Sequence, residues 1–301
     1  MKPAPFEYVK ASSVEEAVSA LSSASAEAKI LAGGQSLVPL LALRLAHPEV
    51  LVDINGVPGL DQITSLGATD PAGNAGALAS GHDVRVGALV RHSSLVTQSR
   101  HPLLAEAARW IGHTAIRSRG TLGGSLAHAD PAAEIPVVAA AVEATVHVVG
   151  ADGARTLGAL ELFTGTLQTC LAAHEMIVAV DMPQPEQWGF CEIARRHGDF
   201  ALVTVVVAVV AGRWRVAIGG VGHVVQRATQ AEEILDAESG ARAAGGPLSP
   251  QTVAAAAAAA AATLRPPSDI HASARYRRAM SEELTRRALT AAGNHRGGRG
   301  R

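Results

Sequence analysis

Cysteine and aromatic residues are scarce in this sequence of 301 residues, which has two cysteines and 3% Phe, Trp and Tyr. The two cysteines, Cys170 and Cys191, are not in a Cys-x-x-Cys spacing. The chain alone therefore cannot supply a four-cysteine iron–sulfur cluster or a zinc ribbon. We expect both thiols to be small buried side chains without a disulfide.

The sequence also lacks an excess of either charge and a long apolar run. Its 26 basic and 27 acidic residues give no overall reason to expect a nucleic acid or an anionic membrane as partner. No segment reaches the ~18 unbroken apolar residues of a membrane span. The first residues have no apolar core of the signal-peptide kind, so we expect a cytoplasmic protein.

Hydrophobic residues make up 48% of the sequence, which is enough for a packed core. The length is typical of two domains of ~150 residues. The N-terminal part has the pattern of a small α/β lobe. Ser13 and Glu16 form a capping box for a helix to about Leu21. Strands are predicted over Ala28–Ala32 and Val50–Ile54.

The middle of the chain alternates strands and helices. Pro131 is predicted to lie in the first turn of a helix through about Ala141. Asp152-Gly153 indicates a type I′ hairpin between two strands. The other predicted elements are a loop over 69–83, strands over 84–89 and Glu175–Pro183, and helices over Ser93–Gln98 and Pro102–Trp110.

The pattern changes after Pro185. Two long β runs flank Ala211-Gly212, and the remainder is helical. The helices are predicted over about Ala228–Ala237, Pro250–Leu264 and Ser273–Ala292, and a Gly/Arg-rich tail that we expect to be disordered follows.

Two glycine segments stand out, LAGGQSLVPLL from Leu31 and RGTLGGSLAHADPAAEIP from Arg119. Glycine permits positive φ and a close approach of ligand to main chain, and successive amides in such a turn form an anion site. Neither a GxGxxG after the first strand nor a GxxxxGK[ST] is present, which argues against a Rossmann site and a P-loop. Each pair could be an ordinary turn, or the two loops could hold the diphosphate of one long cofactor.

The segments KILAGGQSLVPLLALR, IRSRGTLGGSLAHADPAAEIPVV and RRHGDFALV together resemble the FAD-binding medium subunit of molybdenum hydroxylases. That family includes carbon monoxide dehydrogenase-like, nicotine dehydrogenase-like and xanthine dehydrogenase-like enzymes. The resemblance implies an α+β fold, with a two-lobed FAD-binding part of the vanillyl-alcohol-oxidase type and a C-terminal antiparallel sheet with helices. The implied boundaries are 1–58 and 59–176 for the lobes, 177–293 for the C-terminal domain and 294–301 for the tail.

The resemblance also implies which residues bind FAD. Glu134 is expected to contact the adenosine part, Ile177 to lie near the adenine, and Phe200 to lie beside the isoalloxazine. The full implied set is Leu31, Ala32, Gly33, Gly34, Gln35, Ser36, Leu37, Ile111, Thr121, Gly123, Gly124, Ser125, Ala127, Glu134, Ile177 and Phe200. No catalytic side chain and no metal ligand is predicted in this chain.

Two positions depart from the family pattern. Gln35 stands where carbon monoxide dehydrogenase-like members have His, and relatives that act on N-heteroaromatic compounds often read AGGQS. Glu192 stands where many relatives carry Lys, which leaves its role open.

Several polar residues keep two interpretations. His128 and Asp130 could shape the FAD site or a turn before Pro131. The run from Arg195 to His197 could attract a nicotinamide cofactor or be a solvated surface. Three residues before the second glycine pair could touch either the FAD phosphate or a partner chain: His113, Arg117 and Arg119.

The expected function is that of an FAD-carrying electron-transfer subunit. Partner chains, a large subunit with the molybdenum cofactor and a small subunit with 2Fe–2S clusters, are implied, as is a dimer of heterotrimers. Reducing equivalents would reach an external acceptor, and the complex would act on an N-heteroaromatic compound. The alternatives are a carbon monoxide or aldehyde dehydrogenase medium subunit, a self-sufficient flavin oxidase, and a scaffold that has lost its flavin.

Overall fold

The structure is a computed structural model that describes residues 2–23, 27–67, 83–241 and 248–295. The loop predicted over 69–83 lies outside the described residues, apart from Asp83. The predicted disordered tail lies outside them from residue 296 onward.

The first lobe is a parallel three-stranded sheet with α1 packed on it. The apolar side of α1, with Ala17, Val18 and Leu21, joins Val52 of the sheet in one core cluster. The strand order is β1 (Glu7–Lys10), β3 (Val50–Asp53), β2 (Ala28–Leu31), and the helices are α1 (Val14–Ser23) and α2 (Leu37–Ala42).

The predicted cap of α1 is present. The Oγ of Ser13 accepts a hydrogen bond from the amide of Glu16 at 3.1 Å. The Glu16 carboxylate accepts from the amide of Ser12, one residue before the cap, at 2.7 Å. This reciprocal pairing satisfies two amides that the helix itself leaves without partners.

The second lobe is built on an antiparallel five-stranded sheet. Its strand order is β4 (Ile63–Ser65), β5 (Val84–Gly87), β10 (Met176–Met182), β6 (Thr145–Gly150), β7 (Gly153–Gly158). The other elements of this lobe are α3 (His92–Gln98), α4 (Pro102–Trp110), α5 (Thr114–Arg117), α6 (Leu122–His128), α7 (Glu134–Ala141), α8 (Ala159–Leu162), β8 (Phe163–Gly165) and β9 (Gln168–Thr169).

Two local predictions in this lobe are wrong. Pro131 precedes α7 instead of lying in its first turn, because Asp130 forms a turn and the Pro131 carbonyl accepts a bond from Gly220 at 2.8 Å. The β6–β7 hairpin pairs Gly150 with Gly153, so Asp152-Gly153 is not its central dipeptide. Positive φ falls on Gly153 alone at this turn, which excludes type I′.

The C-terminal domain is an antiparallel sheet with three helices. The sheet order is β11 (Gln187–Ala194), β12 (Ala201–Val210), β13 (Arg213–Gly219), β14 (Gln226–Arg227), and the helices are α9 (Thr229–Ala241), α10 (Pro250–Ala262) and α11 (Ala274–Ala292). The β12–β13 turn has Ala211 and Gly212 at φ of 50° and 74°, as a type I′ turn requires.

Every residue of β12 is buried, because the strand is covered on both faces. Val206, Ala208 and Val210 belong to the core shared with α7, whereas the residues between them face the core shared with α11. A strand buried on both faces reads as a continuous apolar run without alternation.

The predicted boundary at 176/177 falls at the start of β10. Because β10 pairs with both β5 and β6, it is the central strand of the second lobe. We therefore propose that the C-terminal domain begins after Met182.

Candidate functional site

The first glycine segment is a loop between β2 and α2. Gly34 has φ of +72°, a conformation that glycine adopts without the cost of a side chain. The Gln35 Nε2 donates to the Gly33 carbonyl at 3.3 Å, which closes the loop on itself. Within the described part of the chain, the amides of Gly34, Gln35 and Ser36 have no protein acceptor. Three consecutive donors are therefore available to a ligand.

In the second glycine segment, Gly123 and Gly124 lie in the first turn of α6, whereas the sequence indicated a loop. Thr121 caps this helix, and its Oγ1 accepts from the Gly124 amide at 3.1 Å. The amides of Leu122 and Gly123 donate to the carbonyls of Val90 and Ala88, at 3.0 and 2.9 Å. Because these amides already have backbone acceptors, they are not free to donate hydrogen bonds to an anion, unlike the amides of the first segment.

The fold brings the two segments into contact. A β-carbon on Gly33 would lie 2.3 Å from the carbonyl oxygen of Arg119. A β-carbon on Gly124 would lie 3.9 Å from that of Ala32. Gly123 is equally constrained, since a β-carbon there would lie 2.6 Å from the side chain of Ala88. The glycines are needed for this close packing.

Asn55 and Arg91, which the sequence did not single out for this site, connect the two segments. The Asn55 Nδ2 donates to the Ala32 carbonyl at 2.8 Å, and its Oδ1 accepts from the Arg91 guanidinium at 2.7 Å. Arg91 also donates to the carbonyl of Arg119. No local pattern could have found this pair, because Asn55 and Arg91 are 36 positions apart.

The other predicted residues lie in different environments. Ile111 follows α4 and Ile177 lies in β10, both buried in the same core cluster. Phe200 is 76% exposed just before β12, and Gly198 nearby packs against the ring of His113. The remaining residues lie within the segments, with Leu31 ending β2, Leu37 opening α2, and Ser125 and Ala127 within α6.

A buried carboxyl group, Glu134, and a half-buried one, Glu192, lie where α7 meets the C-terminal sheet. Glu134, the first residue of α7, is 7% exposed. Glu192 of β11 accepts a hydrogen bond from Thr204 at 3.2 Å. Burial raises the pKa of both carboxyl groups. Repulsion from Glu134 raises the pKa of Glu192 further, and repulsion from Asp130 raises the pKa of Glu134. The pair therefore favours a bound proton near neutral pH.

The structure helps to decide between the roles that the sequence left open for several polar residues. Asp130 accepts from the amide of Ala132 at 2.9 Å, which is the turn role. Arg117 donates to the carbonyls of Ile111 and Gly112, both at 2.9 Å, and so fastens its own segment. The run 195–197 is exposed. Cys170 is also exposed, so the expectation that both thiols are buried is wrong.

Comparison with known proteins identifies the family. Residues 4–185 match the model described as "FAD binding domain in molybdopterin dehydrogenase", and residues 188–292 match "CO dehydrogenase flavoprotein C-terminal domain". The chain belongs to this flavoprotein family. The predicted family and fold class are thereby confirmed, and the chain is an FAD-binding oxidoreductase subunit.

The similarity extends over almost the whole length of several medium subunits. The chain is 41% identical to the nicotine 6-hydroxylase medium subunit of Paenarthrobacter nicotinovorans, covering 97% of this chain and 99% of that one. It is 38% identical to the carbon monoxide dehydrogenase medium chain of Hydrogenophaga pseudoflava, with 97% and 98% covered. The crystal structure of quinoline 2-oxidoreductase from Pseudomonas putida 86 matches with a TM-score of 0.84 at 35% identity, covering 98% of this chain and 99% of that chain.

Two further observations concern the described residues only. None of their helices combines the length and apolar character that crossing a bilayer requires. No group of three or more His, Cys, Asp or Glu side chains among them is placed to hold a metal ion.

Proposed function

We propose that this chain is the electron-transfer subunit of a molybdenum hydroxylase and binds FAD without a covalent bond across the two glycine segments. The observation that carries the proposal is the contact of Gly33 with Arg119, directly followed along the chain by three loop amides that have no acceptor among the described residues. Bound FAD would supply the redox chemistry, as a carrier between one-electron and two-electron partners.

The residues present fit the diphosphate of FAD. The amides of Gly34, Gln35 and Ser36 are hydrogen-bond donors in one turn, which is the arrangement that binds anionic oxygens. Arg91 and Arg119 add positive charge. The pKa of the Arg91 guanidinium is lowered, first by burial and then by repulsion from Arg119. A nearby anion would relieve this repulsion.

The remaining predicted residues would shape the rest of the site. Thr121, Gly123, Gly124 and Ser125 would bring α6 close to the cofactor without a bulky side chain. The apolar residues Ile111 and Ile177, together with Phe200, are proposed as contacts of the ring systems. The others are Leu31, Ala32, Leu37 and Ala127, proposed as apolar neighbours of the cofactor, and Glu134, proposed as a polar contact.

Electrons would arrive from clusters on another chain. An iron–sulfur cluster needs several cysteine thiolates, and this chain has Cys170 exposed and Cys191 half-buried on a different element. We therefore propose a small iron–sulfur partner and a large molybdenum-cofactor partner, in a dimer of heterotrimers. The cytoplasmic location remains a prediction.

An N-heteroaromatic substrate is proposed for the complete complex. Its support is the similarity to the nicotine 6-hydroxylase medium subunit at 41% identity and to quinoline 2-oxidoreductase at 35% identity. The substrate would be oxidised on the large partner, and the chain described here would contribute no side chain to that site.

The first experiment identifies the cofactor. The purified full-length chain should be yellow, and acid or heat should release FAD that chromatography identifies. Release of FMN, a flavin retained by the denatured chain, or failure of the colourless chain to take up added FAD would contradict the proposal.

The second experiment tests the relay. The FAD-loaded chain alone should not lose flavin absorbance anaerobically with N-heteroaromatic compounds, aldehydes or carbon monoxide. Addition of the large and small partners should permit bleaching by the true substrate. Rapid bleaching of the lone chain would instead indicate a self-sufficient oxidase.

A further inference from the structure

The backbone of Arg91 is attached to the second glycine segment. Arg91 and Thr121 form an antiparallel bridge. On either side of it the amide of His92 donates to the Gly120 carbonyl, and the amide of Leu122 donates to the Val90 carbonyl, both at 3.0 Å. Any movement of the segment before α6 therefore moves Arg91 with it.

The side chain of Asn55 is attached to the first glycine segment. Its Nδ2 donates to the carbonyls of Ala32 at 2.8 Å and Leu31 at 3.3 Å, directly before the glycine pair. Asp53 orients Asn55, since its Oδ1 accepts from the Asn55 amide at 2.8 Å and from Nδ2 at 2.7 Å. Asp53 is itself held through its other oxygen by the hydroxyl of Tyr8.

The guanidinium of Arg91 joins these two assemblies. Its Nη2 donates to the Asn55 Oδ1 at 2.7 Å, and its Nη1 donates to the carbonyl of Arg119. That carbonyl is the one against which Gly33 packs. The planar guanidinium thus spans the contact between the segments with two donors in fixed geometry.

We propose that Asn55 and Arg91 are positioning residues, a clamp that holds the loop amides and the start of α6 at the separation that the FAD diphosphate requires. The inference rests on the proposed function. Rigid placement of donors before binding raises affinity, because less order must be created when the ligand arrives. Both ends of the Asn55 amide are used, so aspartate, which cannot donate, would not replace it.

The test is a double-mutant cycle on FAD binding to the apo form of the full-length chain. The variants are Asn55→Ala, Arg91→Met and the double variant. The control is Arg109→Met, which removes an exposed arginine whose side chain pairs, among the described residues, with Glu106. Flavin fluorescence gives the dissociation constant of FAD, and far-UV circular dichroism and thermal melting of each apo form verify folding.

Each single variant should raise the dissociation constant at least tenfold, mainly through faster release. The dissociation constant of the double variant should be little higher than that of either single variant, because each single substitution already removes the interaction between Asn55 and Arg91. The control should stay within twofold of the wild type. Arg91→Lys and Asn55→Asp serve as second variants if the first ones do not fold. These variants should also weaken FAD binding, since lysine cannot span both acceptors and aspartate cannot donate a hydrogen bond.

Three results would overturn the clamp. One is binding by folded single variants within threefold of the wild type, and another is multiplication of the two losses in the double variant, which indicates independent structural roles. The third is melting temperatures that fall while the FAD dissociation constant stays unchanged. If the wild-type chain itself does not bind FAD, the proposed function fails and the clamp fails with it.

Discussion

The carbonyl oxygen of Arg119 lies so close to Gly33 that a β-carbon on Gly33 would be 2.3 Å from it. The neighbouring atom is backbone and cannot move aside as a side chain could. The separation of the two glycine segments is therefore set by the absence of one carbon atom.

Gly33→Ala should push the segments apart. We expect a loss of about 1–3 kcal/mol in the free energy of unfolding, as for other overpacked sites, together with loss of FAD. Gly56→Ala is the matched control, because its β-carbon would meet the nearest atom at 3.4 Å, an ordinary contact. Urea unfolding and flavin content measure both effects, and equal behaviour of the two variants would refute the steric argument.

Gly34→Ala separates backbone strain from ligand binding. Gly34 and Gly59 have φ of +72° and +81°, so alanine should cost each of them roughly 1 kcal/mol or more of stability. Apart from its two chain neighbours, no described residue comes within 4 Å of an ideal β-carbon on Gly59, and Gly59 lies outside the glycine segments. We expect only Gly34→Ala to weaken FAD binding, as measured by fluorescence titration. Equal FAD affinity in both variants would place the diphosphate elsewhere.

The carboxyl pair should make stability depend on pH. Burial, followed by repulsion from Glu134, raises the pKa of Glu192 from 4.5 to about 8. The folded protein then binds more protons than the unfolded one between these values, so the free energy of unfolding should fall as the pH rises from 5 to 8. Glu192→Gln should reduce that fall by roughly 1–3 kcal/mol, since one pKa unit corresponds to about 1.4 kcal/mol.

Urea unfolding of the apo protein at several pH values measures this dependence. Exposed Glu15 provides the control, and Glu15→Gln should leave the slope unchanged. An identical slope in wild type and Glu192→Gln would show that Glu192 ionises normally.

Arg277 should contribute strongly to the stability of the C-terminal domain. Its buried guanidinium donates to the carbonyls of Leu202 and Gly220, at 2.6 and 3.0 Å, and to Asp269 at 2.7 Å. Arg277→Met leaves the carbonyls of Leu202 and Gly220 without this buried donor and should cost about 1–3 kcal/mol for each carbonyl, measured by urea unfolding. Arg278→Met, at the exposed neighbouring position, should cost less than about 1 kcal/mol. Similar costs for both would remove any special role of Arg277.

Much of the architecture follows from the sequence because it depends on local chemistry. Ser13 and Glu16 predict the start of α1, since capping involves residues a few positions apart. The long apolar run of β12 and the Ala211-Gly212 turn predict the hairpin. The two glycine segments are visible as motifs, and they carry the family resemblance that comparison confirms.

Tertiary contacts decided the rest. Gly123 and Gly124 are poor helix formers, yet they lie in the first turn of α6, which Thr121 caps. Position 123 has room only for glycine, because Ala88 packs against it. Pro131 lies outside α7 because its carbonyl bonds to Gly220 of another domain. Asn55 and Arg91 meet only in the folded chain, and so do Glu134 and Glu192. A sequence pattern encodes what neighbours along the chain do, whereas these pairings depend on how separate elements pack.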